Sequence, residues 1–249
     1  MIAVLDSPYR GARKLLAAID KEDLERVTEL LENGVDPNVT RFPYSGFWGH
    51  VNFFFQRYNR LPLSEACEVG NYELVKLLID YGANVNPAVE KMKVSTPLKA
   101  ATIGYHPDDL KIIELLIKNG ADISKMQGNS TAVQTAVAYM KVYCPQFTAK
   151  ELKQKDNQKI VQQFASQSPE ARAENITKIV QRLIGDQSPN LALLGRTMLM
   201  SAASNGNQPL CNYLLSIGAD KTLTDSNGKT AYDYAVENGY TELAELLKP

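Results

Sequence analysis

The sequence predicts an all-α solenoid, built of stacked helix-turn-helix repeats joined by β-hairpin-like turns. Three observations predict it. A short string in which Gly is followed by Asp or Asn recurs four times: NGVDPN from Asn33, YGANVN from Tyr81, NGADIS from Asn119 and IGADKT from Ile217. A second string recurs five times: LPLSEA at Leu61, TPLKAA at Thr96, TAVQTA at Thr131, TMLMSA at Thr197 and TAYDYA at Thr230. The second strings lie 35, 35, 66 and 33 residues apart, so the one long interval is twice 33. A fixed period of this length marks an array in which each unit buries its apolar side against its neighbours.

Each element follows from its residues. Thr at the start of a string caps a helix, and Pro in the next position costs nothing, because that N–H has no partner in the helix. A short apolar helix with small residues follows and stops at Gly. A second, amphipathic helix comes next, as in ELVKLLIDYG and LKIIELLIKNG, and ends on a Gly suited to the left-handed conformation. The Asp or Asn two residues later opens a turn into the next unit.

Six units result, at about 11–44, 59–90, 94–127, 128–190, 195–227 and 228–249. The first lacks the opening string and carries charge throughout DKEDLERVTELLENG, as a terminal cap with one wet face would. The third holds a small insertion at GYHPDD. The long interval from Thr131 to Thr197 holds either a hidden degenerate repeat or an insertion; a helical insertion at about 143–174 is favoured, since no opening string occurs near residue 164. Within it TAKE from Thr148 reads as a capping box, and Ser168 with Pro169 opens a further helix. The span 149–182 has seven basic and four acidic residues and reads as a solvated surface helix in preference to a binding element.

Between the first two units lies the surplus stretch RFPYSGFWGHVNFFFQRYNR, residues 41–60. It holds five of the seven phenylalanines and the only tryptophan. Three uses compete for it. Phe53, Phe54 and Phe55 can fold back on the core, each buried ring contributing about 2–3 kcal/mol. Alternatively an aromatic finger presents Phe47, Trp48, Phe54, Arg57, Tyr58 and Arg60 to a partner protein or to a second copy of the chain. Third, interleaved Arg and aromatic side chains can stack single-stranded nucleic acid, although three arginines make a thin electrostatic footprint.

The TPLKAA string, its four degenerate copies and the Gly-Asp/Asn turns resemble the ankyrin repeat family, whose unit is about 33 residues with a T-P-L-H-x-A signature. The resemblance spans roughly residues 11–249 and implies non-catalytic protein binding, as a scaffold, adaptor or regulator. It implies contacts just before each Thr and along the exposed side of each first helix. Here those positions hold Arg57, Tyr58, Arg60, Glu68 and Val69, then Lys93, Ser95, Ile103, Ser130 and Tyr139. Further on they hold Leu193, Leu194, Arg196, Ser204, Asn205, Lys229, Glu237 and Asn238. The signature His, which ties neighbouring repeats together in the family, is replaced by Ser64, Lys99, Gln134, Met200 and Asp233. Weaker polar bonding between repeats is the expectation.

Composition and motifs give chemistry little support. A formal charge of -1 argues against a general nucleic-acid binder. No run reaches the roughly 18 apolar residues of a membrane span, and the start lacks a secretory core. Cys67, Cys144 and Cys211 are odd in number and far apart, which suits reduced thiols in the cytoplasm. Only His50 and His106 could serve a histidine-based triad, and no nucleophile elbow, paired Cys motif or phosphate loop accompanies them. Asp108 and Asp109 read as residues that cap a helix start. No catalytic, metal or cofactor site is therefore expected. The competing class is an enzyme or regulatory subunit with its chemistry in residues 141–175.

Overall fold

Side chains that cap helix starts set the rhythm of the fold. The computed structural model describes residues 8–39, 61–88, 95–102, 106–126, 130–139, 162 and 167–249. The aromatic insertion 41–60 lies outside them, as does most of the 143–174 insertion. The chain divides into two compact units, residues 1–104 with 111–122 and residues 105–110 with 123–249.

In the first unit, α1 (Pro8–Ile19) pairs with α2 (Leu24–Glu32) and α3 (Pro62–Val69) with α4 (Tyr72–Asp80). Two further helices follow, α5 (Pro97–Ala101) and α6 (Asp109–Lys118), the latter belonging to this unit from Lys111 on. First helices stack on first helices, α1 on α3 and α3 on α5, while α2 packs on α4. Leu15, Ile19, Leu74, Leu78, Ile113 and Leu116 are fully buried. In the second unit α7 (Ala132–Tyr139) packs on α9 (Met198–Ser204) and α9 on α11 (Ala231–Glu237). There α10 (Gln208–Ser216) and α12 (Thr241–Leu247) are the second helices of their pairs. This is the all-α repeat architecture that the period predicts.

The caps are those the strings imply. Thr96, Thr197 and Thr230 accept hydrogen bonds from the backbone N–H three residues on, as Asn71 and Asn207 do before the second helices. Each such bond satisfies a donor that the first turn leaves orphaned. At the other end, Asn33, Asn119, Asn205 and Asn238 each donate their side-chain amide to the carbonyl four residues back, at 2.8–2.9 Å. A Gly follows each of them. At Gly206, with φ +66, an added Cβ would stand 2.7 Å from the Tyr240 ring, so both conformation and space require glycine there.

The turns also stitch repeats together. Asn38 donates to the Gly82 carbonyl at 3.0 Å and accepts from the Asn84 N–H at 2.7 Å. Asn86 does the same for Gly120 and Asp122, and Asn190 accepts from the Asp220 N–H.

Two expectations need correction. Ser64 donates to the Ser95 carbonyl at 2.7 Å, and Gln134 donates its amide to the Ala192 carbonyl at 2.7 Å. At two of the five positions a non-histidine side chain thus makes a bond to the following repeat, so the predicted weakening does not apply there. The helix opened by Ser168 is α8 (Pro169–Ile184), and it is no solvated surface helix. It packs on α7 and α10 and buries Ala173, Ile176, Thr177, Ile179, Val180, Leu183 and Ile184. Its charged residues Glu174 and Lys178 pair at 2.8 Å on the exposed side.

Candidate partner-binding surface

In the second unit a cluster of charged side chains gathers around Tyr234. Asp225 opens the turn before α11, and its Oδ1 accepts from the Asn227 and Lys229 backbone N–H groups, both at 2.9 Å. Its Oδ2 accepts from the Tyr234 hydroxyl at 2.7 Å. These donors, the Tyr234 hydroxyl first, hold the Asp225 carboxyl down at about 2. Burial, and then the same hydrogen bond, push the Tyr234 hydroxyl up from its ordinary value. The phenol is only 4% exposed, so its ring forms a fixed floor. The Arg196 guanidinium carbon lies 4.3 Å from the ring centroid and the Lys229 ammonium 5.8 Å from it, within the reach of cation–π attraction. Lys229 also pairs with Glu237 at 2.6 Å, which raises its pKa.

Arg196 reaches this floor from a hairpin. Strands β1 (Ala192–Leu193) and β2 (Arg196–Thr197) pair antiparallel, with Leu193 opposite Arg196. Leu194 and Gly195 form the tip with φ values of 54° and 79°, both positive as a type I′ turn requires. Leu194 is 84% exposed.

The contact positions expected from sequence fall unevenly. Glu68 is exposed at the end of α3 with Val69 half-buried beside it, Arg196 is exposed, and Asn205 is half-buried at the end of α9. The structure brings Arg196 and Lys229 together on the Tyr234 ring, and Lys229 in turn pairs with Glu237. Ser130 is corrected: it is buried, with its Oγ 3.3 Å from the Thr135 Oγ, and presents nothing to a partner. Phe47, Trp48, Phe54, Arg57, Tyr58, Arg60, Lys93 and Ile103 lie outside the described residues, as does the side chain of Tyr139. Tyr234 and Asp225 were missed. The signal for them was DSNGKTAYDYA, in which a turn-forming Asp precedes Thr230 by five residues.

Candidate chemical residues come to little among the described residues. His106 donates its backbone N–H to the Asp109 carboxylate at 2.9 Å. Asp109 therefore does not cap α6 as expected; it is fully buried and its Oδ1 has no hydrogen-bond partner. Cys67 and Cys211 are buried core residues, and burial raises the Cys211 thiol far above its usual value, the reverse of what a nucleophile needs. No group of three or more His, Cys, Asp or Glu is placed to hold a metal ion among the described residues, and no helix there is long and apolar enough to cross a membrane.

The family model for ankyrin repeats (three copies) matches residues 14–127 and 169–249. The chain belongs to the ankyrin-repeat family. Ankyrin repeats mark it as a protein–protein interaction module. Among curated relatives it is 34% identical over 99 residues to the NAD-capped RNA hydrolase NUDT12 of Macaca fascicularis, covering 39% of this chain and 21% of that one. It is 27% identical over 191 residues to the ankyrin repeat protein nuc-2 of Neurospora crassa, covering 77% of this chain and 14% of that one. The ankyrin chain thus spans about a fifth of the first of these relatives and less of the second. A solved chain matches with TM-score 0.58 and 23% identity over 94% of this chain and 96% of its own. It comes from "Bd0816 Predatory Endopeptidase from Bdellovibrio bacteriovorus in complex with immunity protein Bd3460", and at this identity the likeness is one of fold.

Proposed function

We propose that this ankyrin chain is a non-catalytic scaffold, adaptor or regulator in the cytoplasm. It holds a partner protein on the concave face of its first helices and on the aromatic finger 41–60. The observation that carries the reading is the Arg196–Tyr234–Asp225–Lys229 cluster. Charged groups are fixed at the surface by a buried ring. Side chains ordered before binding lose less entropy on association, and Arg and Tyr dominate binding hot spots. Neither nucleic acid nor membrane is part of this reading; self-association through the finger remains a variant of it.

The test is a photo-crosslinking amino acid placed at Glu68 or Asn205, with Asn212 on the exposed side of α10 as control. The expected result is a discrete protein adduct from the first two positions and none from Asn212. Adducts from Asn212 alone, or none at all, would overturn the reading. In parallel, Trp48 and Phe54 changed to Ser should leave folding intact and weaken the adduct.

A further inference from the structure

We propose that the tip of the β1–β2 hairpin reads an acidic residue of the partner protein that lies next to an apolar one. Leu194 takes the apolar side chain and Arg196 takes the carboxylate. The inference rests on the protein-binding reading above and specifies the partner's chemistry.

Leu194 breaks two local rules at once. Its φ of 54° lies in the left-handed region, which costs an L-residue other than Gly, Asn or Asp energy and which hairpin tips normally fill with those three. It is also 84% exposed, so burial returns none of that cost. A residue that is unfavourable both for the backbone and for solvation is where a functional demand outweighs stability.

Arg196 supplies the second half. Its guanidinium lies on the Tyr234 ring, and the ring is held from below by the Tyr234 hydroxyl bond to Asp225. No carboxylate stands within ion-pair distance of Arg196 among the described residues, whereas the neighbouring Lys229 is occupied by Glu237. A guanidinium carries five N–H donors, so one held over an aromatic ring still has donors to spare for a carboxylate, the group it grips with two parallel bonds. The adjoining exposed leucine favours a protein segment over a nucleic-acid backbone, whose phosphates offer no apolar surface.

The experiment selects a displayed library of random dodecapeptides on the full chain. It then measures binding of the enriched peptide to wild type, Leu194→Asn and Arg196→Ala. The expected result is enrichment of Asp or Glu beside Leu, Ile, Met or Phe, with binding weakened about tenfold or more in each variant. Leu194→Asn should melt at the same temperature or higher, because Asn suits the turn; that separates a lost contact from a lost fold. No enrichment of this pattern, binding indifferent to both variants, or preference for a single-stranded oligonucleotide would overturn the proposal. Enriched peptides of other chemistry, with the Glu68 and Asn205 crosslinks intact, would sink the proposal and leave the protein-binding reading standing. Loss of the crosslinks as well would remove both.

Discussion

Asp109 departs from its counterparts at the starts of α2, α4 and α10. Asp23, Asn71 and Asn207 accept the N–H three residues ahead; Asp109 turns back to the His106 N–H and leaves one buried oxygen without a partner. Burial raises its carboxyl well above the ordinary value of 3.8, the His106 bond opposing and Asp108 adding to the effect. A carboxyl raised in the folded state stabilises fully below its unfolded value, and that contribution is lost as pH rises through the folded one. Asp109→Asn, which stays neutral, should therefore gain on the wild type with rising pH. The gain should reach about 1–3 kcal/mol near neutrality, read from urea midpoints at about pH 4 and about pH 8. An equal difference at both would show that the carboxyl does not titrate there. Residue type and place announce a cap at 108–109. Which N–H the carboxylate meets depends on the path of the short loop before it, and no residue type encodes that.

At the scale of the element, helices were legible wherever a cap and a period coincide. Thr96, Thr197 and Thr230 are such places, and so is Ser168 with Pro169 before α8. What the sequence hid was the partner of α8, because the residues between it and α7 break the ruler that pairs first and second helices. Its polar composition then reads as a wet surface, although Ile176, Ile179, Val180 and Leu183 line one side. Ile179→Ala should cost about 2–5 kcal/mol in a denaturation experiment, while Lys178→Ala, which removes an exposed ion pair, should change stability by less than about 1 kcal/mol. Similar small effects from both would return α8 to the surface. Gln134 and Ser64 teach a related lesson. A signature names one side chain for a bond, but the following carbonyl accepts from any donor of suitable reach.

At the scale of the whole molecule, the period alone carried the fold, because repetition multiplies the weight of strings that would each be weak. The candidate site was half legible: Arg196 followed from its place before Thr197, but Tyr234 sits at a position where the signature allows any residue. Buried Cys67 belongs to the first compact unit and buried Cys211 to the second, so the two thiols report on each unit separately. In a Cys144→Ser background, both should resist a thiol reagent in the folded chain and react promptly in denaturant. Rapid labelling of one alone would reveal opening of its unit. The Asn residues that close the helices bear on chemical ageing. Five Asn-Gly pairs occur in the chain, the dipeptide most prone to deamidate, since the glycine nitrogen attacks the side-chain amide with little hindrance. In four of them that amide is tied to the carbonyl one turn back; Asn227 instead holds a 3.5 Å contact to Asp225 in an exposed turn. After mild alkaline incubation, peptide mass spectrometry should find aspartate and isoaspartate first at Asn227, with Asn33, Asn119, Asn205 and Asn238 following only as their helices fray. The same bonds that end the helices set the order in which the folded chain wears out.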